Sequence, residues 1–193
     1  MLLGKIDQAC HDLRLLQDRF FADHQAMLTE LCRVMGATLA GGGTIFFFGN
    51  GGSAAQAQHL AAEFVNRFLL DRQPLAAMAL TSDAAVLTSI ANDYDFSDVF
   101  RRQLAGLARP GDLAVGISTS GNSANVARAL EYAREQRLVT VGFLGRDGGR
   151  CRSLCDFPLV VASDQTPRIQ EVHLLLGHLL CELVESQLCT RRC

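Results

Sequence analysis

Thr44-Ile45-Phe46-Phe47-Phe48-Gly49-Asn50-Gly51-Gly52-Ser53 is the stretch on which the fold of this chain turns. Its first half is a dense apolar and aromatic run, the kind buried on both faces in a parallel sheet. Its second half is a glycine-serine loop that opens a segment of helical periodicity. A strand that ends in such a loop and runs into a helix presents free backbone N–H groups to an anion, and the helix dipole adds to the attraction. The same arrangement recurs downstream, where the apolar run Leu113–Ile117 leads into Ser118-Thr119-Ser120-Gly121-Asn122-Ser123. One such loop says little, because glycine also serves plain tight turns. Two in one small domain point to a phosphorylated ligand, with hydroxyls from Ser53, Ser118, Thr119, Ser120 and Ser123 available as further hydrogen-bond partners.

Outward from these loops the pattern alternates. Residues 3–40 carry apolar positions at helical spacing, among them Ile6, Leu13, Leu16, Phe20, Met27, Leu31 and Val34, and Gly41-Gly42-Gly43 ends that region. Strands are predicted at Thr44–Phe48, Leu75–Leu80, Leu113–Ile117, Val139–Leu144 and Phe157–Val161. Helices are predicted at Ser53–Leu70, Ser82–Asn92, Phe96–Ala108, Asn122–Gln136 and from Thr166 to about Leu188, with turns at Pro110-Gly111 and Asp147-Gly148-Gly149. Thr166 reads as the N-cap of the last helix, with Pro167 at its first position. Alternating strands and helices imply a three-layer αβα sandwich around a five-stranded parallel sheet with right-handed crossovers. Ligands in such sheets bind beyond the carboxyl ends of the strands, which is where both loops fall. The expectation is a single domain over residues 1–193, with 1–40 as a helical oligomerisation segment.

Composition narrows the function. The 193 residues suffice for one sizeable core. A formal net charge of −2 without a long Lys/Arg run argues against a general electrostatic grip on nucleic acid. Arg146, Arg150 and Arg152 form a small basic cluster that reads as a solvated loop. No run reaches the roughly 18 apolar residues of a membrane span, and the N-terminus lacks the apolar centre of a signal peptide. Seven cysteines without CxxC spacing fit a reducing cytosol better than a disulfide framework. Cys151 and Cys155 alone make a poor metal site.

Acid/base chemistry collects on two helices. His59 and Glu63 are four residues apart on the helix that leaves the first loop, so they share a face, either as a surface pair or as partners in holding a metal or a proton. Gln170, Glu171, His173 and His178 interrupt the largely apolar last helix, where polar groups need partners if buried. Gln170 and His178 lie about 12 Å apart along that helix, so they meet at one metal only if it sits between them. Asn92-Asp93 fits either sugar hydroxyls or a helix end. Arg67, one turn beyond Glu63, fits either a partner for Glu63 or a surface ion pair. His11, His24 and His173 read as solvated or structural.

These residues carry a resemblance. The stretches GNGGSAAQAQHLAAEFVNRF at 49–68, SIANDYDF at 89–96, GISTSGNSANV at 116–126 and TPRIQEVHLLLGHLLCELVE at 166–185 resemble the sugar isomerase (SIS) domain family. Within that family they are most similar to the phosphoheptose isomerases. The loops are shared by many sugar-phosphate binders, whereas His59/Glu63 together with Gln170 and His178 points to the heptose enzymes. The resemblance implies conversion of D-sedoheptulose 7-phosphate to D-glycero-D-manno-heptose 7-phosphate, the first step toward ADP-heptose and the lipopolysaccharide core. It implies one zinc ion per subunit on His59, Glu63, Gln170 and His178. Phosphate contacts are implied for Ser118, Thr119, Ser120 and Ser123, and sugar contacts for Asn50, Gly51, Gly52, Ser53, Asn92, Asp93 and Gln170. It also implies a cytosolic homotetramer with active sites at subunit interfaces. Glu63 is the expected carbon base and His178 the acid/base on oxygen.

Two other readings share the loops. Non-catalytic SIS adaptors that bind a replication initiator protein lack the acid on the loop helix and the second histidine on the last helix; both are present here. An isomerase of a pentose or hexose phosphate would differ only in its hydroxyl contacts. A nucleotide module is disfavoured, since neither glycine loop matches GxxxxGK[ST].

Overall fold

Successive side chains of a strand point to opposite faces, and the first strand shows the consequence. In the computed structural model, which describes residues 2–189, β1 (Ile45–Gly49) sends Ile45 and Phe47 into one buried cluster and Phe46 and Phe48 into another. The other strands are β2 (Ala77–Ala79), β3 (Leu113–Ser118), β4 (Val139–Gly145) and β5 (Phe157–Val161). All neighbours pair in parallel, in the order β2-β1-β3-β4-β5. The first cluster is closed by α1 (Leu2–Ala40), α2 (Gly52–Val65) and α7 (Thr166–Cys189). The second is closed by α3 (Ala84–Asp93), α4 (Val99–Leu107), α5 (Ala124–Glu135) and the single turn α6 (Gly149–Arg152). This is the expected three-layer sandwich on a five-stranded parallel sheet. Phe47, Phe48, Phe64, Phe100 and Phe143 are fully buried, each worth about 1.5–3 kcal/mol of apolar burial.

Among the described helices α7 alone is long and apolar enough to span a bilayer by composition. Its buried positions, including Ile169, Val172, Leu176, Leu180 and Val184, instead pack in the first cluster. Of α1, Phe20, Leu31, Cys32, Met35 and Gly36 are buried, whereas Leu2, Leu3, Ile6 and Leu15 are exposed. At the amino end of the sheet the buried Asp112 carboxylate accepts the N–H groups of Thr44 (2.7 Å) and Arg109 (2.6 Å), tying β1 to β3.

Several boundaries depart from the sequence reading; the helix expected over Phe96–Ala108 begins as a separate 3-10 turn at Phe96–Asp98 and is α-helical over Val99–Leu107. The helix expected to reach Leu70 ends at Val65, because the N–H groups of Phe68, Leu69 and Leu70 are taken by the Glu185 carboxylate on α7. The strand expected over 75–80 pairs only at Ala77–Ala79, since β2 is an edge with β1 as its sole neighbour. The cap of α7 shifts by one: Ile169 N–H bonds the carbonyl of Gln165, so Thr166 is already helical. Pro167 is tolerated one place further in, because its missing N–H belongs to the unpaired first turn. The turn expected at Asp147-Gly148-Gly149 continues into the single helical turn α6, with Gly148 as its N-cap.

Candidate active site

The strand order places the site. β1 and β3 are neighbours, with Gly49 opposite Ile117, so the two glycine-serine loops leave adjacent carboxyl ends. The helices they open diverge: α2 packs in the first cluster and α5 in the second. Divergence of this kind opens a crevice at the sheet's topological switch point, the usual ligand site of open α/β sheets.

Neither helix start is closed by a side-chain cap, since neither Gly51 before α2 nor Ser123 before α5 makes a capping bond. Ser123 turns its hydroxyl to Ser118 Oγ (3.1 Å), and Ser118 Oγ lies 3.5 Å from Ser120 Oγ. Ser120 Oγ also accepts the N–H of Asn122 at 3.1 Å. The result is a cluster of three hydroxyls at the N-terminus of a 12-residue helix, the chemistry that holds a phosphate. Thr119 sits in the same loop, half-buried. The two loops are locked together by a reciprocal amide pair, Asn50 Nδ2 to Asn125 Oδ1 and Asn125 Nδ2 to Asn50 Oδ1, both 2.8 Å. Asn125 carries no mark of this role in the sequence beyond its place at the start of a helical segment; its burial and its partner Asn50 emerge only in the fold.

Two glycines of the first loop have different reasons. Gly51 has φ +55, a backbone state that L side chains rarely adopt, with open space around it. At Gly52 a Cβ would lie 2.5 Å from Gln170 Nε2, so the missing side chain leaves room for that amide. This brings Gln170 of α7 against the first loop. Gln56 Nε2 donates to the Gln170 carbonyl at 2.6 Å and ties α2 to α7 there.

One to two turns further along α2, the titratable residues meet. His59 Nε2 faces His178 Nε2 at 2.7 Å, and Glu63 Oε1 lies 3.6 Å from His59 Nδ1. The rings of Phe68 and His178 stand 5.5 Å apart. A shared proton between the two Nε2 atoms makes one imidazole donor and the other acceptor. A carboxylate and two imidazoles from two helices therefore meet on α7 and on α2, the helix that leaves the first loop.

Residues 10–145 match the SIS domain model. The chain is 57% identical over 173 residues to phosphoheptose isomerase of Desulfovibrio desulfuricans, covering 90% of this chain and 82% of that protein. It superposes on phosphoheptose isomerase GmhA from Neisseria gonorrhoeae with TM-score 0.91 at 39% identity, over 96% of this chain and all of the other. A phosphoheptose isomerase from Francisella tularensis gives TM-score 0.92 at 32% identity, over 96% and 99%. The chain belongs to the phosphoheptose isomerase family of SIS domain proteins.

Other residues named from the sequence fall as follows in this SIS domain protein. Ser53 is buried at the start of α2. Asn92 and Asp93 form the exposed end of α3, with Asn92 Nδ2 donating to Asp93 Oδ1 at 2.8 Å; among the described residues no hydrogen bond joins them to the histidine pair. Arg67 makes no ion pair with Glu63, whose neighbour is His59. His173 is structural: its Nε2 meets the Leu144 carbonyl at 3.0 Å, and burial pushes its imidazole down to about 4. His24 Nδ1 lies 2.9 Å from the Phe20 carbonyl. Cys155 Sγ donates to the Cys151 carbonyl, and burial pushes the Cys151 thiol up to about 11. The basic cluster is dispersed: Arg146 faces Asp164, Arg150 faces Glu131, and Arg152 donates to the Asp147 carbonyl.

For a metal, the donor types are right. Two imidazole nitrogens turned toward each other, with a carboxylate and an amide on the flanking turns, are the N/O chemistry zinc takes. Glu63 faces the far nitrogen of His59, and no group of three or more His, Cys, Asp or Glu side chains surrounds a common point among the described residues.

Proposed function

We propose that Glu63 and His178 carry the aldose–ketose isomerisation of this member of the phosphoheptose isomerase family, with the Ser118–Ser123 loop holding the substrate phosphate. The activity is the interconversion of D-sedoheptulose 7-phosphate and D-glycero-D-manno-heptose 7-phosphate. The observation that carries the assignment is the meeting of Glu63, His59 and His178 across α2 and α7, with α2 opened by the first glycine-serine loop and Gln170 of α7 lying against Gly52 of that loop.

Isomerisation moves one proton between adjacent carbons and another between their oxygens. Starting from the ketose, the Glu63 carboxylate takes a proton from C1, the C1–C2 enediol forms, and the proton is delivered to C2 to give the aldose. His178 gives a proton to the C2 oxygen and recovers one from the C1 oxygen, so the balance closes. Carboxylate and imidazole suit these transfers, worth typically 10²–10⁴-fold each. His59, hydrogen-bonded to His178 and flanked by Glu63, fixes which nitrogen of His178 carries the proton. His59, Glu63, Gln170 and His178 are the residues that would hold a zinc ion. When bound, it would polarise the substrate carbonyl.

The length and exposure of α1 support an oligomeric assembly. A 39-residue helix is about 58 Å long, and its first half leaves Leu2, Leu3, Ile6 and Leu15 exposed on one protomer. A homotetramer covering these positions, with Asn92 and Asp93 reaching a neighbour's site, fits both facts. Six free cysteines among the described residues fit a cytosolic location.

The test is turnover of five-, six- and seven-carbon ketose phosphates by wild type and Glu63→Gln. The heptose phosphate should be turned over fastest, and Glu63→Gln should lose at least about 10²-fold in kcat while still binding the phosphosugar. Binding without any product by the wild type would favour the adaptor reading.

A further inference from the structure

We propose that the buried Arg72–Glu185 pair is a positioning device that sets Glu63 and His178 in register for proton transfer. The inference rests on the assignment of the chemistry to those two residues. Glu185 lies on α7 seven residues beyond His178, hence on the same face, and its side chain is 1% exposed; that of Arg72 is 5% exposed. The carboxylate accepts N–H groups from Phe68 (3.1 Å), Leu69 (2.8 Å), Leu70 (2.8 Å) and Arg72 Nε (2.7 Å). The guanidinium also donates to the carbonyls of Phe64 (2.9 Å), Gln73 (3.1 Å) and Glu63 (2.9 Å).

These contacts reach both reacting residues. On one side Arg72 grips the peptide carbonyl of Glu63 itself, at the end of α2 where helix carbonyls have no intrahelical partner. On the other, Glu185 fixes the backbone of Phe68, whose ring stands against His178. A one-sided account by stability is weak, since a buried ion pair is often no better than well-packed apolar residues of the same volume. Apolar residues cannot supply directed bonds that hold one helix end to a particular turn of another. Burial raises the Glu185 carboxyl, but three amide N–H groups and Arg72 outweigh it and keep the group ionised below its ordinary range.

The signal was present in the sequence as an acid on the apolar face of the last helix. Its partner was hidden, because Arg72 lies 113 residues away in the chain.

The experiment compares Glu185→Gln and Arg72→Lys with Glu63→Gln and with Asp112→Asn, which breaks a buried carboxylate network at the opposite end of the sheet. All are assayed well below their melting midpoints, with folded protein quantified by near-UV circular dichroism. Glu185→Gln and Arg72→Lys should lower kcat per folded enzyme by on the order of tenfold or more, with KM within about twofold because the phosphate cradle is untouched. Asp112→Asn should lower the midpoint and leave kcat unchanged. Arg72→Lys keeps the charge and loses only the fork geometry, so it decides the matter if Glu185→Gln is too unstable to purify. Unchanged kcat in the folded variants, or a loss no larger than the loss of folded protein, overturns the proposal. Near-normal kcat in Glu63→Gln would instead overturn the site assignment beneath it.

Discussion

Acidification should destabilise this protein in a window set by His173. The imidazole is buried, its Nε2 donates to the Leu144 carbonyl, and its Nδ1 is buried without a hydrogen-bond partner. Burial pushes its pKa down from 6.5 to about 4. The folded state therefore refuses a proton that the unfolded chain accepts. Below pH 6.5 the unfolded state binds more protons, so stability falls with pH until about pH 4, where the folded state also takes one. Two and a half units at about 1.36 kcal/mol each set a ceiling of about 3 kcal/mol. Between pH 7.5 and pH 5 the same relation gives a loss of about 2 kcal/mol. The assay is urea unfolding at fixed protein concentration across this range, with chelator present so that metal release does not contribute. His173→Gln keeps a donor but cannot titrate, and it should flatten the dependence between pH 6.5 and 5 whatever its effect on absolute stability. An unchanged slope in that variant would refute the reasoning and place the titration elsewhere. Glu185 acts in a separate window: its lowered carboxyl pKa contributes stability above about pH 4.5 that is lost on further acidification.

Other perturbations have equally definite outcomes. Ser120→Ala removes a hydroxyl from the cradle and should raise KM on the order of tenfold with kcat little changed, as expected for one hydrogen bond to a charged group; steady-state kinetics with an unaltered KM would remove Ser120 from phosphate binding. Gly177→Ala should lower the melting midpoint, because the new Cβ would sit 2.5 Å from Leu60 Cδ2 in the α2–α7 contact. Overpacking there costs about 1–3 kcal/mol, which exceeds the gain of about 1 kcal/mol from better helix propensity; a raised midpoint would contradict this. Exhaustive chelation should abolish turnover, and added Zn²⁺ should restore it. Full activity in protein shown metal-free by elemental analysis would remove the metal from the mechanism.

What could be read from residues alone was local in origin. The run Ile45–Phe48 announces a strand because burial on both faces leaves no polar positions to alternate. The two loops announce strand ends that open helices because glycine, hydroxyl and helix start are adjacent in the chain. His59 and Glu63 are visible as a pair because helix geometry puts residues four apart on one face. The misread boundaries share a different cause. Phe68-Leu69-Leu70 continue an apolar helical pattern, and nothing local shows that Glu185 will capture their amides.

The sequence by itself determined the alternation of strands and helices, the carboxyl-end loops and the residue types of the chemistry, since each depends on neighbours a few positions apart. Only the tertiary structure decided that β1 and β3 lie side by side, that Asn50 pairs with Asn125, and that His59 meets His178 at 2.7 Å. It alone brought Arg72 to Glu185. Those are contacts between distant segments, chosen by how helices pack on a twisted sheet and by the need of buried polar groups for partners, and no periodicity along the chain encodes them.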